Sequence, residues 1–435
     1  MLLKFYRWLT VITGPIIDLY LIHRRRKGKE DPKRFSERLG HASFPRPAGA
    51  LVWVHASSVG EAMSVLPLIR AILEEYKELS VLLTTGTVTS SSLLEGKLPP
   101  RAFHQFVPID KLVTVRRFLD HWKPDIGMFV ESELWPNLIV ETAHRGCTLL
   151  LINARMSKDA FETWRRARGI AEKMLRSFAL TLAQSDDDKK RLETLGATNV
   201  RSLGNLKFDA PALPADPKET GRMVSQIGER PLWLAASTHE GEERIAAEIH
   251  NALKKEIDGL LTILVPRHPE RGVGIAELCR SEFQLKTALR SKQDPILETT
   301  DIYIANTIGE LGLFYRLSGI AFLGGSLVQH GGQNPLEAAR LECAILAGPY
   351  TTNFARIYDA LIQGEAAIRV RSKEELIDML RTLLKTPAKQ HTLAANALEI
   401  VESKSGVQNA YLEEIAPYLK TLAGRSGAGN NAKSA

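Results

Sequence analysis

From residue 51 onward, short and nearly continuous apolar runs alternate with longer segments in which apolar positions recur at helical spacing. Runs without polar alternation are typical of strands buried on both faces of a parallel sheet, because crossover helices cover both faces. In the first half of the chain the predicted strands are 51–57, 80–87, 125–132, 148–155, 180–185 and 199–205. In the second half they are 231–238, 261–267, 301–307, 320–326, 344–350 and 366–370. The pattern predicts an α/β protein with two parallel sheets.

A proline-rich segment separates the two series of strands. Three prolines lie between residues 211 and 217, and such a segment holds neither a helix interior nor a central strand. We therefore predict a linker between two Rossmann-like domains that face a cleft. The predicted division is an N-terminal arm at 1–40, a first domain at 41–210, the linker at 211–222, a second domain at 223–422 and a disordered tail at 423–435, which is rich in Gly, Ser and Asn.

The N-terminal arm combines an apolar run with basic flanks. The run extends from Trp8 to Ile22, and a basic cluster at 24–27 follows it. A membrane span needs about 20 apolar residues, and this run is interrupted by Gly14, Pro15 and Asp18. A signal peptide would end in a small-residue cleavage site, which is missing here. We predict a helix that lies in or partly enters the bilayer, with its basic residues on anionic lipid; the alternatives are a full span and a soluble helix docked on the body.

Composition and charge exclude several classes of protein. The chain has 435 residues, of which 44% are hydrophobic and 25% charged, so it is neither disordered, collagen-like nor polytopic. Its net charge is +7, and six of these charges come from residues 1–40. A nucleic-acid-binding protein carries its basic surface on the folded domain, so we expect no nucleic-acid partner. The three widely spaced cysteines support neither a disulfide framework nor a zinc site, which fits a reducing compartment.

Four predicted helix starts share one pattern, in which a polar N-cap residue is followed three residues later by Glu. This is the capping-box spacing, and it occurs at Ser58–Glu61, Ser237–Glu240, Thr307–Glu310 and Asn334–Glu337. Ligands of open parallel sheets bind beyond the carboxyl ends of strands, and helix N-termini favour anions. We therefore expect an anionic ligand such as a sugar nucleotide. The alternative is that each Glu only caps its helix.

Glu61 differs from the other three because Gly60 lies in the first turn of its helix. Glycine is unfavourable there unless a ligand must approach the backbone closely. A carboxylate beside a helix N-terminus is also expected to stay ionised. We predict that Glu61 is a general base.

Other charged residues follow the predicted strands. Glu131 and Glu133 share one face of an extended segment, where one of them would hold acceptor hydroxyls or stabilise developing positive charge. Lys207 precedes the linker and is placed to meet a phosphate or carboxylate. Arg267 ends a buried strand and suits bidentate recognition of such a group. The glycine-rich stretch 324–334 would let backbone amides approach a ligand. No grouping of His, Asp and Glu has metal-ligand spacing, so we predict no metal site.

Taken in order, these segments resemble the bacterial transferases of 3-deoxy-D-manno-octulosonic acid (Kdo) that act in lipopolysaccharide synthesis. The matching segments are HASSVGE, E-x-E-L-W-P-N, INARMS, GNLKFD, AASTHEGEE, VPRHPER, TIGELG, FLGGSLVQHGGQNPLEAA and GPYTTNF. The resemblance runs from the N-terminal arm to about residue 420. Each segment alone is weak evidence, whereas the ordered set is highly specific.

The resemblance implies a GT-B glycosyltransferase that is inverting, independent of metal and without a cofactor. Its substrates would be CMP-Kdo as donor and the 6′-hydroxyl of the lipid A precursor lipid IVA as acceptor. The enzyme would then act at the cytoplasmic face of the bacterial inner membrane, in contact with membrane lipids through its N-terminal helix.

The resemblance also implies roles for individual residues. Glu61 matches the general base, and Glu131 and Lys207 match positions that stabilise the transition state. The implied CMP contacts are Arg267, His268, Ile308, Gly309, Glu310, Asn334, Pro335, Leu336 and Glu337. Two alternatives remain, a GT-B enzyme that uses a UDP-sugar on a lipid acceptor and a non-catalytic, membrane-tethered protein that binds nucleotide or lipid.

Overall fold

The structure, a computed structural model, describes residues 2–431, with side chains as far as residue 424. The chain divides into two compact units. The first unit ends at Ala210 and resumes at Gly406, and the second unit is Pro211–Ser405. The polypeptide therefore leaves the first unit once and returns to it near the C-terminus.

Each unit contains one seven-stranded sheet in which the paired strands run parallel. The strands of the first unit are β1 (Ala50–His55), β2 (Leu79–Thr85), β3 (Ala102–Phe106), β4 (Ile126–Val130), β5 (Thr148–Ala154), β6 (Phe178–Ala183) and β7 (Val200–Ser202). Those of the second are β8 (Leu232–Thr238), β9 (Leu261–Pro266), β10 (Thr287–Leu289), β11 (Ile302–Ile304), β12 (Ile320–Leu323), β13 (Ala344–Ala347) and β14 (Ala367–Arg369).

Helices connect the strands in both units. The first unit begins with α1 (Leu2–Ile12), α2 (Gly14–Arg26), α3 (Phe35–Arg38), α4 (Val59–Glu75), α5 (Val88–Leu94), α6 (Leu112–Trp122), α7 (Pro136–His144), α8 (Lys158–Arg166), α9 (Arg168–Leu175) and α10 (Asp186–Thr194). The second contains α11 (Pro217–Ile227), α12 (Glu242–Leu253), α13 (Gly272–Ser281), α14 (Leu311–Leu317), α15 (Pro335–Ala339), α16 (Ala355–Gln363), α17 (Lys373–Lys385) and α18 (Pro387–Ser403). The chain ends with α19 (Val407–Asn431), and 3₁₀ turns lie at Leu206–Asp209, Pro269–Arg271, Arg290–Lys292 and Thr352–Phe354.

The strand order explains where ligands can bind. It is β3-β2-β1-β4-β5-β6-β7 in the first unit and β10-β11-β9-β8-β12-β13-β14 in the second. The order reverses between β1 and β4 in the first sheet and between β8 and β12 in the second. Open parallel sheets bind ligands beyond the carboxyl ends of the strands at such a reversal, the topological switch point. The segments that follow these four strands are therefore placed to bind ligands.

Strand β1 shows why the apolar pattern predicts the sheets. Leu51 and Trp53 pack into the core on one face of the first sheet, and Val52 and Val54 pack into the core on the other. Because both faces are covered, the strand needs no polar alternation.

The sequence pattern correctly predicts twelve strands of the described residues and misses two. The missed strands are β3 and β10, and both lie at the edge of their sheets. β3 includes the polar residues His104 and Gln105, and β10 has three residues. Edge strands are short and tolerate polar residues, so they lack a continuous apolar run.

The C-terminal helix belongs to the first unit, whereas the sequence-based division continues the second domain to residue 422. Asp209 accepts hydrogen bonds from the backbone N–H groups of Gly406, at 2.7 Å, and Gln408. Apolar side chains at helical spacing, among them Tyr411, Ile415 and Leu419, are buried in the core of the first unit. The helix continues to Asn431, so the backbone is helical in the described part of the segment 423–435, for which the composition predicts disorder. Residues 432–435 lie outside the described residues.

The apolar part of the N-terminal arm forms two helices, α1 and α2, rather than one, with Pro15 in the first turn of α2, where proline is tolerated. The arm is docked on the first unit. The Tyr6 hydroxyl donates to Asp110 at 2.8 Å, and Lys111 pairs with Asp18 at 2.8 Å. Large apolar side chains stay exposed: Leu2, Phe5, Trp8, Leu9, Val11, Ile12, Ile16, Leu19, Tyr20 and Ile22. Among helices of the described residues, none has the length and hydropathy needed to cross a membrane.

Candidate functional site

The switch point of the first sheet gathers three carboxyl groups and one ammonium group. Glu61 follows β1, Glu131 and Glu133 follow β4, and Lys207 follows β7. The structure therefore brings together, within the first unit, the three residues predicted as catalytic and one further acid. We call these four residues the carboxylate site.

Glu61 is held by the start of α4. Ser58 is the N-cap residue, and its hydroxyl oxygen accepts from the Glu61 backbone N–H at 3.3 Å. The Glu61 carboxylate accepts in turn from the Ser58 hydroxyl and from the Ser57 backbone N–H, both at 2.8 Å. The predicted capping box is therefore present, although Glu61 reaches Ser57 rather than the backbone of the cap itself. A Cβ atom at Gly60 would meet no atom within 4 Å, so the backbone beside Glu61 is open.

The protonation of Glu61 differs from the sequence-based expectation. Burial, together with the nearby carboxylates of Glu131 and Glu133, raises the pKa of Glu61 to about 7. Hydrogen bonds from Ser57 and Ser58 oppose this shift but do not cancel it. Burial and like charge thus outweigh the helix N-terminus, so Glu61 is partly protonated at neutral pH. A carboxyl with this pKa can both accept and release a proton near pH 7.

Glu131 and Lys207 form a buried ion pair in which Nζ and Oε1 are 2.7 Å apart. The side chains are 15% and 9% exposed for Lys207 and Glu131, so most of the pair is removed from water. Glu131 adopts φ +59°, an unusual backbone conformation for a residue other than glycine. Strained conformations of this kind cluster at functional sites.

Lys207 is positioned by a 3₁₀ turn that two asparagines hold. The Asn205 side chain accepts from the Lys207 backbone N–H at 3.0 Å. The side chain of Asn153, at the end of β5, accepts from the backbone N–H of Leu206 at 3.1 Å. The same turn carries Asp209, which binds the start of α19. The C-terminal helix is thus tied to the turn that carries Lys207.

His55 also belongs to this site, although no sequence motif predicted it. His55 is fully buried at the end of β1, and its Nε2 lies 3.9 Å from the Glu133 carboxylate. Burial lowers the pKa of His55 to about 4, so the imidazole is neutral at pH 7. Glu133 accepts from the Trp135 indole N–H at 2.7 Å, and burial raises its pKa. The available sequence signal was the position of His55 in the apolar strand predicted at 51–57, six residues before Glu61.

The second unit carries the predicted nucleotide-binding residues on the segments after β9, β11 and β12. Arg267 and His268 follow β9, and both are exposed. Glu337 lies in α15, whose N-cap is Asn334, and Asn334 donates to the Glu337 carboxylate at 3.3 Å. Burial raises the pKa of Glu337, and the positive charge of Arg267 opposes this shift. The capping pattern predicted at 334–337 therefore names the correct cap residue, Asn334. Pro335 and Leu336 form the buried first turn of α15.

The segment after β11 is held differently. The Glu310 carboxylate is bound by the Arg290 guanidinium at 3.0 Å and by the Thr307 hydroxyl, and these bonds lower its pKa. Glu310 is the N-cap residue of α14 rather than its third residue, so the capping box predicted at 307–310 is wrong. Ile308 is 78% exposed, and a Cβ atom at Gly309 would meet no atom within 4 Å. These two residues leave an open surface on which a ligand could lie.

The capping box predicted at 237–240 is also wrong. Helix α12 begins at Glu242, and the Glu242 carboxylate, not that of Glu240, accepts from the His239 backbone N–H at 2.9 Å. Ser237 adopts φ +55°, and the chain needs extra residues to turn from β8 into the helix.

Glu242 also changes the interpretation of the glycine-rich loop. Its carboxylate accepts from three further backbone N–H groups, those of Gly325, Ser326 and Leu327, at 2.6, 3.1 and 3.0 Å. Glu242 is 1% exposed, so these amides are satisfied inside the protein. These three amides are not available to a ligand, so the prediction for the glycine-rich stretch 324–334 fails at these three positions. The glycines instead allow close packing, since a Cβ at Gly324 would lie 2.5 Å from the Ser237 carbonyl oxygen.

Comparison with known proteins identifies the family. A family model described as 3-deoxy-D-manno-octulosonic-acid transferase (kdotransferase) matches residues 33–210. A Rickettsia bellii protein described as 3-deoxy-D-manno-octulosonic acid transferase is 37% identical over 421 residues, which cover 96% of this chain and 100% of the relative. The chain belongs to the Kdo transferase family. A Haemophilus influenzae Kdo transferase is 32% identical over 427 residues, with 96% of this chain and 98% of the relative covered.

Kdo transferases are glycosyltransferases of lipopolysaccharide biosynthesis, so the family and enzyme class predicted from the sequence motifs are confirmed. The fold prediction is also confirmed. UDP-GlcNAc 2-epimerase from Neisseria meningitidis matches with a TM-score of 0.57 over 84% of this chain and 100% of the epimerase. Its 15% sequence identity shows a shared fold alone. The Kdo transferase thus has a GT-B-like architecture of two Rossmann-like units.

Proposed function

We propose that this Kdo transferase moves Kdo from CMP-Kdo to the 6′-hydroxyl of lipid IVA, with inversion at the anomeric carbon and without a metal ion. The observation that carries the proposal is Glu61, a carboxyl with a pKa of about 7 at the switch point of the first sheet. We infer that Kdo is the transferred sugar because the chain belongs to the Kdo transferase family.

In the proposed step, Glu61 acts as the general base. The acceptor oxygen attacks the anomeric carbon of Kdo while its proton passes to a carboxylate oxygen of Glu61. The bond between the anomeric carbon and the CMP phosphate oxygen breaks, and CMP leaves with the electron pair. A base whose pKa lies near the working pH is the most effective, because it is both available and strong enough. Attack on the face opposite the leaving group inverts the anomeric centre.

Glu131 and Lys207 would stabilise the transition state. The sugar acquires positive charge as the bond to CMP breaks, and the Glu131 carboxylate can stabilise that charge. The Lys207 ammonium group lies 2.7 Å from Glu131 and holds this carboxylate in place. The pair is therefore a fixed, preorganised dipole rather than two mobile charges.

The second unit would bind the donor. Arg267 and His268 are exposed cationic or polar groups that suit the phosphate of CMP, and Ile308 and Gly309 offer an open surface for the nucleoside. Asn334, Pro335, Leu336, Glu337 and Glu310 complete the proposed CMP contacts. Charge neutralisation by side chains of this kind can replace a metal ion when the leaving group carries one phosphate.

The acceptor is a lipid, so we also propose that helices α1 and α2 bind the cytoplasmic face of the inner membrane. Their exposed apolar side chains include Phe5 and Trp8, and the exposed basic residues Arg25, Arg26 and Lys27 follow. This combination favours an interfacial position on anionic lipid. In a vesicle sedimentation assay with phosphatidylglycerol, Trp8→Glu should weaken binding strongly. The matched control is Val224→Glu, at an equally exposed apolar residue of α11; equal loss in both variants would contradict the membrane proposal.

The decisive experiment is incubation of the full chain with CMP-Kdo and lipid IVA in the presence of a chelator, with the product read by mass. We expect Kdo-bearing lipid and its loss in Glu61→Gln. Turnover with UDP-N-acetylglucosamine but not CMP-Kdo would replace the proposal by a UDP-sugar transferase. Nucleotide binding without any turnover on lipid IVA would favour a non-catalytic binding protein.

A further inference from the structure

Three histidines meet at the switch point of the second sheet. His239 follows β8, His268 follows β9, and His330 lies in the loop after β12. The rings of His239 and His330 are stacked with centroids 4.2 Å apart, and the His268 ring stands edge-on to His239 at 6.2 Å. His268 and His330 are exposed, and His239 is half-buried. We call these residues the histidine cluster.

The histidine cluster lies in a positive environment. The pKa of His239 is lowered to about 4, first by burial and then by the positive charges of His330, His268, Arg267 and Arg271. Arg271 is already paired with the buried Glu243 at 2.7 Å. An anion placed against the cluster would be stabilised by the neighbouring Arg267 guanidinium.

The cluster is held rigidly. The Gln333 side-chain nitrogen lies 2.9 Å from His239 Nε2. The Gln333 backbone carbonyl accepts from the Tyr358 hydroxyl at 2.8 Å, and the His330 carbonyl accepts from the Asn353 side chain at 3.0 Å. The His239 ring and the loop backbone that carries His330 are therefore positioned before any ligand arrives, which lowers the entropic cost of binding.

Two other roles for this cluster fit less well. Among the described residues, no group of three or more His, Cys, Asp or Glu side chains is arranged to hold a metal ion. The neighbouring glycine-rich loop offers no free amides at Gly325, Ser326 and Leu327, because Glu242 occupies them. These three amides therefore cannot bind an anion, whereas the side chains of the cluster can.

We propose that His239, His268 and His330 form a subsite for an oxyanion of the sugar-nucleotide donor, either its phosphate or the carboxylate of its sugar. His239 and His330 extend the donor site beyond Arg267 and His268. This inference rests on the proposed function for the identity of the donor.

The test is calorimetric titration of the full chain with CMP and with CMP-Kdo, without acceptor. The variants are His239→Gln and His330→Gln, and the control is His391→Gln, an exposed histidine of α18 in the same unit. Loss of a hydrogen bond to a charged group weakens binding about 10- to 100-fold. Thermal melts identify any variant that fails to fold, and His330, being exposed, provides a variant with little effect on packing.

Each outcome decides a specific point. Equal weakening for CMP and CMP-Kdo assigns the subsite to the phosphate, and weakening for CMP-Kdo alone assigns it to the sugar carboxylate. Affinities that match the His391→Gln control for both ligands would overturn the inference. If the wild type binds UDP instead of CMP, the proposed function fails, and the same variants titrated with UDP still decide whether the cluster binds an oxyanion.

Discussion

The two sheets share one architecture but present opposite chemistry at their switch points. The first gathers the carboxyl groups of Glu61, Glu131 and Glu133 around a single Lys207. The second gathers the histidine cluster and Arg267. Both sheets are parallel and seven-stranded, so the backbone does not decide this difference. The fold determines where a ligand can bind, and a few side chains that follow the central strands determine the chemistry at that position.

The acids of the two units are used in different ways. In the second unit Glu242 is satisfied by backbone amides, Glu243 by Arg271, and Glu310 by Arg290. These carboxylates stabilise the structure and leave imidazoles facing solvent. In the first unit Glu61 has two neutral hydrogen-bond donors and two negatively charged neighbours, so its pKa rises to about 7. A carboxyl is available for proton transfer when its partners do not fully compensate its charge.

The largest expected effect is that of Glu61→Gln. Loss of a general base lowers kcat by roughly 10²–10⁴-fold, whereas Gln still fits the third capping position. The folded-state pKa of Glu61 is about 7 against an ordinary value of 4.5, so ionisation destabilises the native protein as pH rises from 4.5 to 7. The variant should therefore be more stable than wild type above pH 7, on the order of 1–3 kcal/mol. Rate assays and thermal melts at pH 5 and 8 check both effects; full activity would exclude Glu61 as the base.

Next in size is the disruption of the buried ion pair. Lys207→Gln leaves the Glu131 carboxylate buried without its cation, which costs about 3–5 kcal/mol. The double variant Glu131→Gln with Lys207→Gln should regain much of this stability, because no buried charge is left unpaired. It should not regain activity, because the proposed transition state requires the charge pair. Urea unfolding and turnover measure the two separately. Arg165→Gln, which breaks an exposed pair with Glu162 in the same unit, should change little; equal destabilisation would contradict the contrast between buried and surface pairs.

Glu242→Gln tests whether acids of the second unit are structural. The side-chain oxygen of Gln can replace one carboxylate oxygen of Glu242. Its NH₂ group, however, would face the backbone N–H groups from which the other oxygen accepts, so we expect the free energy of unfolding to fall by about 2–3 kcal/mol. The control is Glu240→Gln, an exposed residue two positions earlier that the sequence pattern wrongly places in the cap. Urea unfolding should separate the two variants clearly. A larger effect at Glu240 would restore the capping box predicted from sequence.

The smallest effect concerns Glu133. Its negative charge raises the pKa of Glu61, so Glu133→Gln should lower that pKa and move the acidic limb of the kcat/KM profile to lower pH. A purely structural role would reduce activity without moving the limb. The control Glu162→Gln, at an exposed acid of α8, should leave the profile unchanged. An unmoved limb in Glu133→Gln would show that Glu133 does not act on the base.

The four capping patterns show how far local sequence predicts the site. The patterns at Ser58 and Asn334 form, since each of these residues caps the helix that follows it. The pattern at 237 fails because Ser237 still belongs to β8, and the helix begins only at Glu242. The pattern at 307 fails because Glu310, which Arg290 binds, is itself the N-cap residue of a helix that begins at Leu311. Identical spacing thus gave different structures, since the length of the turn depends on the sheet and helix that it joins.

Apolar periodicity by itself determined the two sheets, their central strands and the positions of Glu61, Glu131 and Arg267 at strand ends, because burial of both sheet faces leaves a local trace in the sequence. The motifs determined the family. Only the tertiary structure decided that Lys207 pairs with Glu131, that His55 lies beside Glu133 and that α19 returns to the first unit. These contacts join residues that are distant in the chain, so no local pattern encodes them.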